Sequence, residues 1–126
     1  MGKNDVTVFS KPWDNEVTLE QLGKKLTSLG VDGVELPVRP GYQVEPENIA
    51  KGLPEAKKIL ADQGIKIGSV AGSVDEPTIN ALGEAGVQIL RICVGIDMSI
   101  GYMATERRLR EQWDALIPAL DHAGVN

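Results

Sequence analysis

Leu26-Thr-Ser-Leu-Gly30-Val31-Asp-Gly-Val-Glu-Leu36 is the stretch on which the fold turns. Leu26 suits the last turn of a helix. Gly30 suits the left-handed position that ends it, which glycine reaches at no steric cost. The β-branched residue that follows leads toward a strand. The same Leu-x-x-x-Gly-[Val/Ile] pattern returns at Leu60 to Ile65, Leu82 to Val87 and Leu120 to Val125. A repeated helix end followed by a strand start is the seam of a β/α unit.

Working outward from these seams, short apolar runs read as strands: Val6 to Ser10, Gly33 to Val38, Lys66 to Ala71 and Ile89 to Val94. Near-continuous apolar character is what strands covered on both faces require. Between them lie helices. Thr18 to Leu29 opens on Thr18-x-x-Gln21, a capping-box pattern. Pro46 to Gln63 starts with a proline that suits a first turn, and Gly52-Leu-Pro54 should divide it. Pro77 to Ala85 follows Asp75. Thr105 to Ala123 carries Leu109, Trp113, Leu116, Ile117 and Leu120 on one stripe, with a kink expected at Pro118. The chain ends at Val125-Asn126, where a fifth strand is expected to begin.

The fold class is therefore α/β: four consecutive β/α units with a parallel sheet, forming one domain over residues 1–126. Half of a (β/α)8 TIM barrel and a doubly wound open sheet both fit this order. A dinucleotide site would want G-x-G-x-x-G after the first strand, where Ser10-Lys-Pro-Trp-Asp14 stands instead. The regular strand-then-helix order favours the half-barrel, although the residues alone leave the open sheet available.

Composition narrows the partners. With a net charge of -5, and basic pairs lying among acids in predicted helices, the chain lacks the cationic surface that displaces counterions from phosphates. No nucleic acid is expected as a partner. No apolar run approaches the length of a membrane span, so no membrane is expected either. One cysteine, Cys93, cannot form an internal disulfide. With no apolar leader at the start, a reducing cytoplasm is the expected compartment.

Phe9-Ser-Lys-Pro-Trp13, the quoted Leu26 to Leu36 stretch, Ala61-Asp-Gln-Gly-Ile-Lys-Ile67 and Leu116-x-x-Ala-Leu-Asp-His-Ala-Gly-Val125 resemble the sugar phosphate isomerase/epimerase family of xylose-isomerase-like barrels. Gly-[Val/Ile]-x-Gly-[Val/Ile]-Glu, here Gly30 to Glu35, is the most recognisable of these motifs. The resemblance spans nearly all of this chain but about the first half of such a barrel. It implies a fold shared with metal-dependent enzymes acting on a sugar or sugar phosphate. It also implies that their divalent metal (Mn, Mg, Co or Zn in a full-length member) is held by two Glu, an Asp and a His on the last four strands. Those strands lie outside this stretch, so no metal or other cofactor is expected in this chain, and turnover by it alone is not expected. The endonuclease branch adds histidines on the third and fourth strands, which here have none.

Glu35 is the candidate catalytic residue. Alternation sends Val34, Leu36 and Val38 to one face and Glu35 to the other, the barrel interior. There it either contacts a substrate hydroxyl, handles a proton, or sits in a structural ion pair. Arg91 stands five residues after Gly86, as Glu35 stands five after Gly30. Arg91 is thus expected at the same level, within reach of Glu35, pairing with it or binding a phosphate or carboxylate. Lys11 and Trp13 follow the first strand, where Trp13 either stacks on a sugar or packs its loop down. Asp97 and Tyr102 belong to the long connection after the fourth strand, a candidate lid hinged at Gly95 and Gly101. These four and Arg91 are the candidate substrate-binding residues. Cys93, between Ile92 and Val94, reads as a small core residue.

A half-barrel leaves its first and fourth strands as open edges. Two partners answer that need: a second copy, making a homodimer through strands 1 and 4, or a missing C-terminal half. Three functions follow. The chain is the first half of a sugar isomerase/epimerase, a self-associating structural half-barrel (natural or engineered), or a binder of a small-molecule sugar without catalysis.

Overall fold

A computed structural model describes residues 4–126. Strand β1 is Thr7–Phe9, α1 Leu19–Ser28, β2 Gly33–Pro37, α2 Ile49–Ala61, β3 Lys66–Ala71, α3 Glu76–Ala85, β4 Leu90–Arg91, α4 Tyr102–Asp114 and α5 Ile117–Ala123. A short 3-10 turn, Pro46–Asn48, precedes α2. The four strands form one parallel sheet in chain order, β1-β2-β3-β4. A doubly wound sheet reverses its strand order at a switch point. None occurs here, and the arrangement is four successive β/α units, as in one half of a (β/α)8 barrel.

Chain-order strands joined by crossovers of one hand place every helix on the same face. The packing agrees: α1 lies against α2, α2 against α3, and α3 against α5. The core fills the space between helices and sheet. Val34, Leu36 and Val70 of the strands are fully buried against Leu22, Leu26, Leu53, Leu60 and Leu82 of the helices.

The local signals account for the element ends. Thr18 Oγ1 accepts from the Gln21 N–H at 3.2 Å, and Gln21 Oε1 accepts from the Thr18 N–H at 2.9 Å. Asp75 caps α3 through the Thr78 N–H at 2.9 Å. The four repeat glycines, Gly30, Gly64, Gly86 and Gly124, all take positive φ, between 67° and 76°. At three of the four seams the residue after the glycine donates its N–H back to a carbonyl of the last turn: Ile65 to Leu60 at 3.0 Å, Val87 to Leu82 at 2.9 Å and Val125 to Leu120 at 3.0 Å.

Three expectations need correction. Helix α2 is not divided at Gly52-Leu-Pro54. Pro54 is exposed, and the carbonyl its missing N–H would have met, that of Ala50, belongs to an exposed residue that water can serve. The discontinuity comes earlier, where the 3-10 turn gives way to Ile49. The last helix is broken rather than kinked. Pro118 has no N–H for the Asp114 carbonyl, so α4 ends at Asp114 and a new helix starts with Pro118 in its first turn. Strand β4 is reduced to Leu90–Arg91, the part that pairs with β3.

Beside β4, the Asn126 N–H donates to the Gln88 carbonyl at 2.8 Å, and the Asn126 carbonyl accepts from the Leu90 N–H at 2.9 Å. This is the bonding of one parallel strand position, opposite Ile89. Between β4 and the last two helices runs a cleft lined by Leu90, Ile92, Trp113, Leu116 and Leu120. Among the described residues, no helix is long and apolar enough to cross a membrane.

Candidate functional site

The sheet face away from the helices carries the charged groups. Phe9, Glu35 and Ser69 stand side by side in register on β1, β2 and β3, so their side chains share that face. The alignment of Ser69 depends on an irregularity. Val34 pairs with Ile67 and Glu35 with Ser69, so Gly68 is the extra residue of a bulge. Without it Gly68 would face Glu35 and no hydroxyl would reach the carboxylate. With it, Ser69 Oγ donates to Glu35 Oε1 at 3.1 Å. A Cβ on Gly68 would come 3.1 Å from the Thr7 methyl, a tight contact to which this exposed side chain would have to yield by a few tenths of an ångström.

Arg91 reaches the same carboxylate from β4. Its Nε lies 2.9 Å from both Glu35 oxygens, and its Nη2 lies 2.9 Å from Oε2. The pairing expected from the repeat is therefore present, but its geometry differs. Arg91 is in register with Ala71, and Ala71 with Pro37, which places the Arg91 backbone two residues beyond Glu35. Without the bulge Arg91 would stand level with Val38, three residues beyond Glu35 and on the opposite face. The bulge brings it level with Pro37, on the face of Glu35, and the long arginine side chain spans the remaining two residues. The Glu35 side chain is 16% exposed and that of Arg91 37%. Hydrogen bonding to Glu35 pushes the Arg91 guanidinium above its ordinary pKa. Arg91 also lies over the Phe9 ring, 4.5 Å from its centroid. Its Nη1 donates to Cys93 Sγ at 3.4 Å. Cys93 is exposed, which corrects its reading as a core residue. It follows Arg91 by two positions and so shares the uncovered face, beyond the point where β4 pairs.

Two loops at the carboxyl end of the sheet are tied together. Gln43 Nε2 donates to the carbonyls of Trp13, Asp14 and Val17 at 3.2, 2.6 and 2.9 Å. Tyr42 donates its hydroxyl to the Lys11 carbonyl at 2.9 Å, and the Asn15 N–H meets the Gly41 carbonyl at 3.0 Å. Arg39-Pro40-Gly41-Tyr42 is a type II turn: the Tyr42 N–H closes on the Arg39 carbonyl, and Gly41 has φ +83°. Trp13 is half-buried and packs on the core, so here it holds the loop down. Lys11 is exposed.

Asp97 and Tyr102 form a separate group. The Asp97 N–H donates to Thr105 Oγ1 at 3.1 Å, and the buried Thr105 hydroxyl donates to the Gly101 carbonyl at 2.8 Å. Hydrogen bonds from the Ser99 hydroxyl and backbone N–H, with Arg108 beside them, hold the Asp97 carboxyl below the usual carboxylate range. These bonds bind the loop's second half to the start of α4. Tyr102 is 61% exposed and lines an open groove of about 470 Å³ with Val94, Ile96, Leu109 and Trp113. Neither residue bonds to Glu35 or Arg91.

Among the described residues, no three His, Cys, Asp or Glu side chains gather as a metal ligand set. Glu35 offers a carboxylate already engaged by a guanidinium and a hydroxyl, a donor set that does not fit a divalent ion. What the face offers is hydrogen bonding: an oriented carboxylate that accepts, guanidinium groups that donate, and an aromatic ring. Sequence reasoning missed Ser69, Phe9, Gln43 and Arg39. A register shift, a ring contact and loop-to-loop bonds leave no periodic trace, but the Arg-Pro-Gly turn directly after β2 was a readable sign for Arg39.

Comparison with protein-family models and with curated proteins finds no match to this chain.

Proposed function

We propose that this chain works as the N-terminal half-barrel of a sugar (phosphate) isomerase/epimerase-like protein of the cytoplasm, supplying one wall of the substrate site. The observation that carries this reading is the Glu35 carboxylate, mostly covered, gripped by Arg91 and Ser69, and aimed away from the helices. Ligands of parallel α/β proteins bind at the carboxyl ends of the strands. A carboxylate fixed in this way accepts hydrogen bonds from sugar hydroxyls. The motifs from Phe9 to Leu36 support the sugar assignment by resemblance. On this reading the divalent metal and its Glu, Asp and His ligands come from a second half, and Glu35 orients substrate rather than holding the ion.

A titration of the labelled chain with ketoses and their phosphates, with and without Mn²⁺, tests the reading. Chemical-shift changes at Glu35, Ser69 and Arg91, without interconversion, are the expected result. Metal-dependent interconversion by the chain alone would reject the need for a second half, and no response at these residues would reject the sugar site.

A second reading has its own observation. Ile89, Val94 and Ile96 along the β4 edge are each about half exposed. A homodimer that sets β1 of one copy beside β4 of the other would cover them and close the barrel. Such a dimer must displace Asn126 from its place beside Ile89. Light scattering that gives the monomer mass at micromolar concentration would remove this reading.

A further inference from the structure

Arg39 is a half-buried cation at the carboxyl end of the sheet whose guanidinium has no carboxylate partner among the described residues. It stands two residues beyond β2, and its guanidinium lies over the Phe9 ring, 5.9 Å from the centroid. Arg91 lies over the same ring. The two cations converge on one aromatic side chain, and Glu35 neutralises one of them. Arg91 spends Nε and Nη2 on Glu35 and Nη1 on Cys93. Among the described residues, no carboxylate lies within ion-pair distance of Arg39, and its side chain makes no hydrogen bond. The cluster of Glu35, Arg91 and Arg39 therefore carries one positive charge in excess, in a chain whose net charge is -5.

The backbone beneath Arg39 is fixed. Its N–H donates to the Val44 carbonyl at 3.3 Å, and its carbonyl closes the type II turn. Gly41 within that turn donates to Glu45 Oε1 at 2.7 Å. The Phe9 ring gives the side chain a flat surface to lie on, which limits its freedom before any ligand arrives. A fork of guanidinium donors, prepositioned and without a carboxylate partner, is the form of site that takes an oxyanion in two-pronged fashion.

We propose that Arg39 binds the anionic end of the ligand, a phosphate monoester or a carboxylate, at the carboxyl-end mouth of the sheet, while Arg91 remains committed to Glu35. The proposal rests on the sugar-phosphate reading only for the identity of the rest of the ligand. It places the anion beside β1 and β2, with the sugar hydroxyls toward Glu35.

The test is an NMR titration of the isotopically labelled chain at constant ionic strength. The probes are inorganic phosphate, acetate, a hexose monophosphate and the parent hexose. Saturable shifts of the Arg39 side-chain Nε–H and of the backbone from Val38 to Tyr42 are expected with inorganic phosphate. Arg39→Gln should weaken phosphate binding roughly 10-fold or more, and Arg39→Lys should recover part of it, because lysine keeps the charge but loses the fork. A matched Lys24→Gln control should leave the affinity unchanged. Unfolding midpoints in urea report whether the variants stay folded. The acetate and phosphate arms separate the two anion classes.

Unchanged phosphate affinity in Arg39→Gln, shifts centred away from Arg39, or no saturable response at tens of millimolar phosphate would each overturn the proposal. Phosphate binding at Arg39 with no contribution from the hexose would leave the anion site standing and reject the sugar reading instead.

Discussion

Breaking the Glu35–Arg91 pair from each side should cost different amounts, and the difference follows from exposure. The pair has close contacts at 2.9 Å from two nitrogens of Arg91, the geometry of a strong charge-assisted interaction. Fully exposed pairs couple by about 0–1 kcal/mol, and removing one partner of a buried pair costs about 3–5 kcal/mol. Arg91 is more than a third exposed, so water screens part of the attraction. A coupling energy of about 1–2 kcal/mol is the value between these limits. Arg91→Met leaves a carboxylate that is 16% exposed with Ser69 as its remaining side-chain partner. That variant should lose about 2–3 kcal/mol, on the scale of a poorly compensated charge. Glu35→Gln leaves a guanidinium that is 37% exposed, can rehydrate and still rests on Phe9, so its loss should be nearer 1 kcal/mol. Urea unfolding of the two single variants and the double variant gives the cycle directly. A coupling energy indistinguishable from zero, or a larger loss in Glu35→Gln than in Arg91→Met, would refute this account of the site.

The remaining predictions concern the frame around the pair. Gln43→Leu removes the donor shared by three carbonyls of the loop after β1, and should cost about 1–3 kcal/mol while making residues 11–17 more open to proteolysis. Gly83→Val meets Ala123 directly, since a Cβ at Gly83 would lie 2.9 Å from the Ala123 Cβ. It should lose about 1–3 kcal/mol by pushing α5 from α3, as a calorimetric melting point would record. Gly64→Ala meets no neighbour but must hold φ +76°, so a smaller loss of about 1 kcal/mol is expected in the same assay. Asp97 has a carboxyl held below its ordinary value, so its contribution to loop order is full above the unfolded aspartate pKa. That contribution is lost as pH falls through the lower folded value. The protection factors of the Ser99 and Gly101 amides, taken against the intrinsic exchange rate at each pH, should fall across that acid window in the native chain, and Asp97→Asn should abolish that fall.

The frame was legible because it rests on local chemistry. A glycine that must adopt positive φ, a Thr18–Gln21 capping box and an Asp75 cap are written in a few adjacent residues, and all appear where the repeat put them. The Glu35 side of β2 was legible from alternation alone. What escaped the sequence depends on pairing across strands. The bulge at Gly68 sets which β3 side chain meets Glu35 and moves Arg91 one residue closer to it, onto the same face, which counting along single strands cannot reveal. Cys93 was misplaced for a related reason: its apolar neighbours suggested burial, but β4 pairs with β3 only through Arg91. Pro118 was recognised as a disturbance, yet whether a proline kinks or ends a helix depends on what supports the freed carbonyl. Arg39 carries no periodic signal; the Arg-Pro-Gly turn after β2 marks its position, and its contact with the Phe9 ring depends on the pairing of β1 with β2.

The most direct test of a wall with one face and the β4 edge left open is amide hydrogen exchange along β4. The Ile89 and Arg91 carbonyls turn toward β3, where they accept from Val70 and Gly72. The Ile92 N–H therefore points to the opposite edge, past the place that Asn126 occupies beside Ile89. In dilute solution the Val70 amide should be strongly protected and the Ile92 amide should exchange at nearly the rate of an unstructured chain. Strong protection of Ile92 that persists at every concentration would mean that the edge is already satisfied within one copy, and would contradict the open-walled half-barrel.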